Sequence, residues 1–139
     1  MSIYILFIKY SKKRQVKVGA KGMIAIDAGS YLYVGSAKKS WEKRVGRHLA
    51  SEKKLRWHID YILAPQEAAV VEVMLNHDNY ECSTAKHLSQ LDGVNSLAKK
   101  IGSSDCQCHT HFFHLKDGFY LVKKALEKLA YKSVDIGQI

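Results

Sequence analysis

The spacing of apolar positions along the chain changes several times, and each change predicts a new element. The first run, SIYILFIKY from Ser2 to Tyr10, is β-branched and aromatic without Gly or Pro, which is typical of a central strand. Short apolar runs broken by glycines then predict a meander of strands and turns, followed by a longer strand over SYLYVG (30–35). AAVVEVML (68–75) predicts a second core strand, and CHTHFFHL (108–115) predicts a closing one.

In other segments the apolar residues recur at helical intervals instead of in strand-like runs. Trp41, Val45 and His48 recur at helical intervals, so a helix capped by Ser40 is predicted over 40–51. Two further helices are predicted over about 80–91 and over 94–101. GFYLVKKALEKLAY predicts an amphipathic C-terminal helix with these inward residues: Leu121, Ala125, Leu126 and Leu129.

These elements predict an α+β fold with a small mixed or antiparallel sheet flanked by helices. RWHIDYILAP (56–65) fits a short helix or a strand, and Pro65 ends it in either case. The 139 residues, 47% of them apolar, suffice for one core and are too few for two. A single domain is therefore predicted over 1–139.

The net charge indicates which class of partner the protein binds, and the cysteine content indicates its cellular compartment. The chain has 22 Lys and Arg against 13 Asp and Glu, a formal net charge of +9, which favours nucleic acid as a polyanionic partner. A membrane is not expected, because no apolar stretch is long enough to span a bilayer and the basic residues are scattered. The first apolar run lacks the flanks of a signal peptide, and three cysteines favour a reducing cytoplasm.

Polar side chains recur at places where a purely structural strand, turn and helix would not need them. Tyr4 lies on the first strand, Tyr33 on the YVG strand, Arg44 and His48 on the next helix, and Glu81 at the start of a later helix. In this order they resemble the GIY-YIG endonuclease pattern. Five ordered blocks resemble more narrowly its compact Uri-type branch, also called domain of unknown function 123: GSYLYVGSA, RVGRH, KKLRWHIDYIL, YEC and IGSSDCQCHTHFF.

The resemblance implies a small three-stranded, mainly antiparallel central sheet flanked by helices, with an extra C-terminal strand and helix in this chain. It also implies metal-dependent hydrolysis of a phosphodiester. One of the two phenols, Tyr4 or Tyr33, is then part of the proton relay that activates water, and Tyr33 assisted by His48 is the preferred pair. Outside that resemblance, both tyrosines could be ordinary buried strand aromatics.

The residue types suit this chemistry. Arg44 offers a planar, permanently charged fork for phosphate oxygens, and His48 lies one helical turn away on the same face. Glu81 supplies a hard carboxylate oxygen, which can hold Mg²⁺ (or Mn²⁺) together with waters and a substrate phosphate. Alone, the Arg44–His48 pair would be a solvated helix face, and Glu81 a favourable charge at a helix N-terminus.

Basic residues flank the predicted site in sequence. The residues predicted to bind nucleic acid are these: Lys38, Lys39, Lys53, Lys54, Arg56 and His58. The lysines and the arginine could follow a phosphate backbone, and His58 could approach a base beside Trp57. The alternative for the lysines and the arginine is an ordinary charged surface, and the alternative for Trp57 is a position in the core.

The DCQCHTH segment contains zinc-ligand types with unusual spacing. Cys106, Cys108, His109 and His111, with Cys82 elsewhere, lack the two well-spaced ligand pairs of common zinc sites. Burial of small thiols in the core accounts for the cysteines, and less than stoichiometric zinc is predicted. Structural zinc is the alternative.

The sequence therefore predicts a cytoplasmic, metal-dependent endonuclease acting on DNA or structured nucleic acid, with DNA favoured over RNA. The rival prediction is a nucleic-acid-binding module that keeps the fold and has lost cleavage. A third possibility is a domain that acts only within a larger repair assembly.

Overall fold

The computed structural model describes residues 2–77, 81–97, 100–103, 108 and 110–139. Within them the strands are β1 (Ser2–Tyr10), β2 (Arg14–Lys17), β3 (Met23–Ile26), β4 (Gly29–Ala37), β5 (Ala68–Asn76), β6 (Val94–Ser96), β7 (Phe112–Leu115) and β8 (Lys132–Val134). The helices are α1 (Trp41–Leu49), α2 (His58–Leu63), α3 (Glu81–Ser89) and α4 (Tyr120–Lys128), with short 3-10 turns at Gly19–Lys21 and Ile136–Gln138.

The main sheet has six strands in the order β6-β7-β4-β1-β5-β8, and every neighbouring pair is antiparallel. The predicted number of three strands is therefore wrong. Strands β4, β1 and β5 form the centre, but β4 and β5 still have outer backbone groups that need partners. Strand β7 satisfies those of β4 and β8 those of β5, while β6 extends the sheet beyond β7. The predicted glycine-broken meander forms a separate β2-β3 hairpin.

Strand β1 is apolar on both faces because both faces are covered. Its alternate residues Tyr4, Leu6 and Ile8 belong to one hydrophobic cluster, and the intervening Ile3 and Phe7 belong to another. Helices α1 and α2 contribute to the first cluster and α3 and α4 to the second. The tyrosine face of β1 therefore lies beneath α1, the helix that carries Arg44.

Two predicted helices are confirmed, one segment left open between helix and strand is a helix, and one predicted helix is wrong. The predicted helices over 40–51 and 80–91 are α1 and α3, and the ambiguous RWHIDYILAP segment forms α2. The helix predicted over 94–101 is wrong: residues 94–96 form β6, because the free edge of β7 takes them up as a strand. In the described ranges, no helix has both the length and the apolar character to cross a bilayer.

The C-terminal helix α4 has a different inward face from the predicted one. Leu121 is 61% exposed, whereas Val122 and Leu126 are buried in the second cluster. Val122 and Leu126 are four residues apart and share a face, from which Leu121 is turned by about 100°. Ala125 and Leu129 are half-buried, as expected for the flanks of that face.

Candidate functional site

The predicted catalytic residues come together at one end of β1 and β4. A pocket of about 480 Å³ is lined by four of them, Tyr4, Tyr33, Arg44 and Glu81. His48 lies behind Tyr4 and is buried. The expected convergence is therefore observed, although the residues come from β1, β4, α1 and α3. Their catalytic roles remain predictions.

The Tyr4 hydroxyl is hydrogen-bonded to His48. Its oxygen lies 2.8 Å from His48 Nε2, and both side chains are at most 2% exposed. The sequence-based assignment paired His48 with Tyr33 instead. Tyr33 contacts His48 only through its ring, with centroids 6.2 Å apart. In the structure, β1 thus places the Tyr4 phenol, rather than that of Tyr33, directly against the histidine of α1, whereas the role of each phenol in a relay stays a prediction.

Burial sets the protonation states in this cluster. Burial lowers the pKa of His48 to about 4, with Asp60 acting in the opposite direction. Burial also raises the pKa of the Tyr4 phenol, although the nearby Arg44 guanidinium counteracts it, and raises that of Tyr33 well above its usual range. At neutral pH, His48 is consequently uncharged.

The His48 pKa leads to a testable pH dependence of stability. As pH falls from about 6.5 to about 4, the unfolded chain takes up a proton that folded His48 does not. The His48 contribution to stability is thus complete above that window and lost within it, by on the order of 3 kcal/mol. Urea unfolding at several pH values should show this loss in the wild type. His48→Gln removes the titration and keeps a hydrogen-bonding group, so its stability should vary less; equal variation would contradict the account.

Arg44 is held over the pocket by β4 and by α2. One guanidinium nitrogen donates to the Ser36 carbonyl at 3.2 Å, and the group lies 4.5 Å from the ring centroid of Trp57. This backbone bond, a side-chain hydrogen bond with the Tyr4 phenol and the face of an indole still leave N–H donors for an anion, since a guanidinium has five. Trp57 packs against the core, as one of its two predicted alternatives has it, and it also lines the pocket.

A second arginine, Arg47, fixes the wall behind Arg44, and no pattern in the sequence indicated it. Arg47 donates twice to the carboxylate of Asp60, at 2.8 Å each, and its guanidinium lies 4.3 Å from the Trp57 ring centroid. Asp60 is fully buried and also accepts from the backbone N–H groups of Arg56 and Trp57. Burial opposes its ionisation, but the Arg47 guanidinium and these donors outweigh burial and lower the pKa of Asp60. The RWHID block contained the signal, as a lone carboxylate in an apolar segment.

Glu81 faces the pocket from the first turn of α3. Ser36 Oγ donates to Glu81 Oε1 at 3.2 Å, and His111 Nδ1 lies 3.2 Å from Oε2. The glutamate side chain is 26% exposed, so its oxygens remain accessible from the pocket. It is the acidic residue among the described residues that line this pocket.

The six predicted nucleic-acid-binding residues fall into three groups. Arg56 and His58 line the pocket, and His58 also donates from Nδ1 to the Lys100 carbonyl at 3.1 Å. Lys53 donates to the His48 carbonyl at 2.7 Å, so its ammonium is used to close the C-terminus of α1. The other three are exposed and lie outside the pocket lining: Lys38, Lys39 and Lys54.

The glycine of YVG makes room for Tyr4. Gly35 is directly opposite Tyr4 in the β1-β4 register, and a Cβ at this position would overlap the Tyr4 ring. Gly35→Ala is therefore expected to lower the free energy of unfolding by about 1–3 kcal/mol through overpacking. The control is Gly46→Ala in α1, where the nearest atom would be 3.7 Å away and where alanine should add up to about 1 kcal/mol. Urea denaturation of both variants is the measurement, and a Gly35→Ala protein as stable as wild type would refute this reason for the glycine.

A cluster of softer ligands lies on the other side of Glu81. The ligand atoms of Cys82, Cys108 and His111 all lie within 4.8 Å of one another. Cys106 and His109 lie outside the described residues. Cys108 and His111 thus lie beside a cysteine of α3, a contact that spacing within DCQCHTH could not reveal.

Comparison with known proteins assigns the chain to a family. No curated protein and no solved structure matches it. The family model for the domain of unknown function DUF123 matches residues 3–132, a range that includes every residue lining the pocket. The chain therefore belongs to the DUF123 family.

Proposed function

We propose that this DUF123 protein is a metal-dependent nuclease of the GIY-YIG superfamily, Uri-type branch, that hydrolyses phosphodiester bonds in DNA or structured nucleic acid. The observation that carries the proposal is that Arg44, Glu81 and the Tyr4–His48 pair meet at one 480 Å³ pocket. A cation for phosphate, a carboxylate for a divalent metal and a buried proton acceptor are the groups that such a hydrolysis requires.

Glu81 fits the requirements of a magnesium ligand. Mg²⁺ is commonly held by one or two carboxylates, several waters and substrate phosphate, and here one accessible carboxylate faces an open pocket. Ser36 and His111 fix its orientation from either side while leaving further lone pairs on both oxygens. When bound there, Mg²⁺ or Mn²⁺ supplies positive charge that lowers the pKa of the attacking water and stabilises charge on the phosphate.

Arg44 binds the scissile phosphate in this proposal. Its guanidinium is positioned by Ser36 and by the face of Trp57 rather than neutralised by a carboxylate. Its remaining N–H groups can therefore pair with phosphate oxygens, the geometry for which a planar fork is suited. Because it is positioned before substrate arrives, it stabilises developing charge without reorganisation.

Tyr4 and His48 move the proton. The Tyr4 oxygen accepts a proton from the attacking water, and the phenol proton passes to His48 Nε2 along the 2.8 Å hydrogen bond. The water oxygen then forms the new bond to phosphorus while the leaving alkoxide departs. This route avoids a free phenolate, which burial disfavours; burial also disfavours the imidazolium, so His48 holds the proton only transiently.

The relay gives a prediction that separates the two tyrosines. Tyr4→Phe removes the hydroxyl bonded to His48, so single-turnover cleavage should fall by about 10²–10⁴-fold. Tyr33→Phe keeps the Tyr4–His48 bond and should reduce the rate less. Single-turnover rates at saturating protein, with affinity measured by fluorescence anisotropy, distinguish the two variants. A larger loss in Tyr33→Phe would restore the pairing expected from sequence.

Exposed cations near the pocket support a nucleic-acid substrate. Lys38 and Lys39 follow β4 directly, Lys54 precedes the pocket residue Arg56, and all four are exposed. Contacts between these cations and phosphates release counterions and involve the nucleic-acid backbone rather than the bases. Affinity should therefore depend strongly on salt concentration and little on the nucleotide sequence. A cytoplasmic location remains part of the proposal, because three cysteines in an otherwise ordinary composition favour a reducing compartment.

The rival is a non-catalytic nucleic-acid-binding module, alone or in a repair assembly. Arg44 and the exposed lysines would serve it equally well. A binder would have no use for a buried Tyr4–His48 pair or for Glu81 beside phosphate, where a carboxylate repels the ligand. These two features favour the enzyme.

The proposal is tested by incubating purified protein with labelled single-stranded, duplex and branched nucleic acids in Mg²⁺, Mn²⁺ or EDTA. Products with either metal and none in EDTA are expected. Tight, salt-dependent binding of a substrate that stays intact under all conditions would favour the binding module.

A further inference from the structure

We infer that Cys82, Cys108 and His111 form a zinc site, and that His111 links this zinc to Glu81. The three side chains already lie close together. The thiol of Cys82 lies 3.9 Å from His111 Nε2, and the three ligand atoms lie within 4.8 Å of one another. A tetrahedral zinc with Zn–S of about 2.3 Å and Zn–N of about 2.0 Å separates its ligand atoms by roughly 3.6–3.8 Å. The side chains therefore need to close by only about 1 Å.

The three ligands are held by separate elements. Cys82 is the second residue of α3, and His111 immediately precedes β7. The His111 backbone is fixed on both sides, because its N–H donates to the Ile101 carbonyl and its carbonyl accepts from Val34. The Cys108 thiol lies 3.9 Å from the Cys82 carbonyl. The site thus joins α3 to the segment that enters the sheet.

The donor set identifies the class of metal. Two sulfurs and one imidazole favour Zn²⁺ and related soft cations, whereas Mg²⁺ and Ca²⁺ prefer oxygen. Three ligands leave one tetrahedral position for water or a further group. Cys82 and Cys108 also line a groove of about 930 Å³, through which a metal ion can reach them. Small thiols filling a core would need neither the groove nor the imidazole.

His111 connects this site to the proposed catalytic pocket. Its side chain is 1% exposed, and its Nδ1 lies 3.2 Å from Glu81 Oε2. The Nδ1 side of the ring faces the carboxylate, so its Nε2 side faces Cys82. A zinc-binding histidine usually donates its second nitrogen to such a carboxylate. Zinc would reciprocally fix the orientation of Glu81 in the pocket, and this second step rests on the proposed function.

The expectation from sequence alone was sub-stoichiometric zinc, because DCQCHTH by itself has poor ligand spacing. Two contacts now favour zinc over simple burial of the thiols. Cys82 from α3 supplies a further ligand, and Glu81 lies beside His111. Neither can be read from the spacing of the segment. The structure therefore assigns a metal-binding role to Cys108 and His111 together with Cys82.

Metal binding is tested without reference to activity. Wild-type protein should retain about one zinc per chain after dialysis, and a cobalt-loaded sample should show thiolate-to-cobalt charge-transfer absorption. Cys82→Ser and Cys108→Ser should each weaken zinc binding by at least about 10-fold, while the exposed His87→Gln on the same helix serves as the control. Wild type that takes up no zinc, or serine variants that bind it as tightly, would overturn the inference.

A second measurement covers variants that fail to fold. In the wild type, zinc should protect Cys82 and Cys108 from alkylation, as read by peptide mass, and should raise the thermal midpoint of metal-free protein. Rapid alkylation of both thiols in the presence of zinc would contradict the site. A Cys82–Cys108 disulfide that forms in preference to metal binding would also contradict it.

The link to Glu81 has its own readout. Removing zinc should raise the Mg²⁺ concentration for half-maximal cleavage by about 10–100-fold, and adding zinc back should reverse the change with nucleic-acid affinity unaltered. Zinc in a protein that cleaves nothing would leave the metal site standing and reject the nuclease. Cleavage by a protein that binds no zinc would support the nuclease and reject the zinc site.

Discussion

Glu81→Gln should abolish cleavage while nucleic-acid binding persists. Glutamine keeps the size of the side chain and an oxygen that can accept from Ser36, but it removes the charge that attracts Mg²⁺. The loss of several kcal/mol of transition-state stabilisation corresponds to at least about 10²–10³-fold in rate. Affinity should stay the same or rise, because a negative charge beside the phosphate is gone. Single-turnover rates and anisotropy on the same substrate provide the measurement.

The matched control for this substitution is Glu42→Gln, at an exposed position in the first turn of α1. It removes the same charge from the protein without touching the pocket. Its cleavage rate should remain within a few-fold of wild type. If Glu81→Gln cleaves as fast as the control at the same Mg²⁺ concentration, Glu81 is structural and its assignment as metal ligand is wrong.

Arg44→Ala should weaken both binding and turnover, in contrast to Glu81→Gln. A guanidinium that contacts phosphate in the ground state contributes to affinity as well as to charge stabilisation in the transition state. Loss of one preorganised donor group costs about 10²–10³-fold in rate. Arg44→Lys keeps the charge and should recover affinity more than rate, because an ammonium lacks the planar fork.

Lys43→Ala is the control for Arg44, since Lys43 is the preceding residue of α1 and is exposed. It lowers the net charge by one, as Arg44→Ala does. Equal losses in the two variants would show that Arg44 acts only through overall charge. An unaltered cleavage rate in Arg44→Ala would remove it from the mechanism.

The centre of the fold could be predicted because it depends on local patterns. An apolar run without Gly or Pro indicated β1, and β-branched residues indicated β5. Residues 94–96 were assigned to a helix because a three-residue strand has no period of its own; it exists through pairing with β7. The same reason applies to β8, whose partner β5 is distant in the chain.

The candidate site was predictable as a set of residues but not as a network. Family order identified Tyr4 and His48, but only the three-dimensional register shows that they bond to each other. The apolar neighbours of Asp60 indicated a buried carboxylate, but its partner Arg47 lies in another helix and could not be identified from sequence. The contact between Cys82 and His111 could not be predicted for a similar reason: it is made between α3 and the residue that precedes β7, which are distant in the chain.

Product analysis in ¹⁸O-labelled water tests the central claim most directly, that this pocket hydrolyses phosphodiesters with an activated water. Under single-turnover conditions with Mg²⁺, each new phosphate terminus should contain one ¹⁸O atom, and no product should form in EDTA. Products without the label, or no product from any bound single-stranded, duplex or branched nucleic acid, would contradict the account.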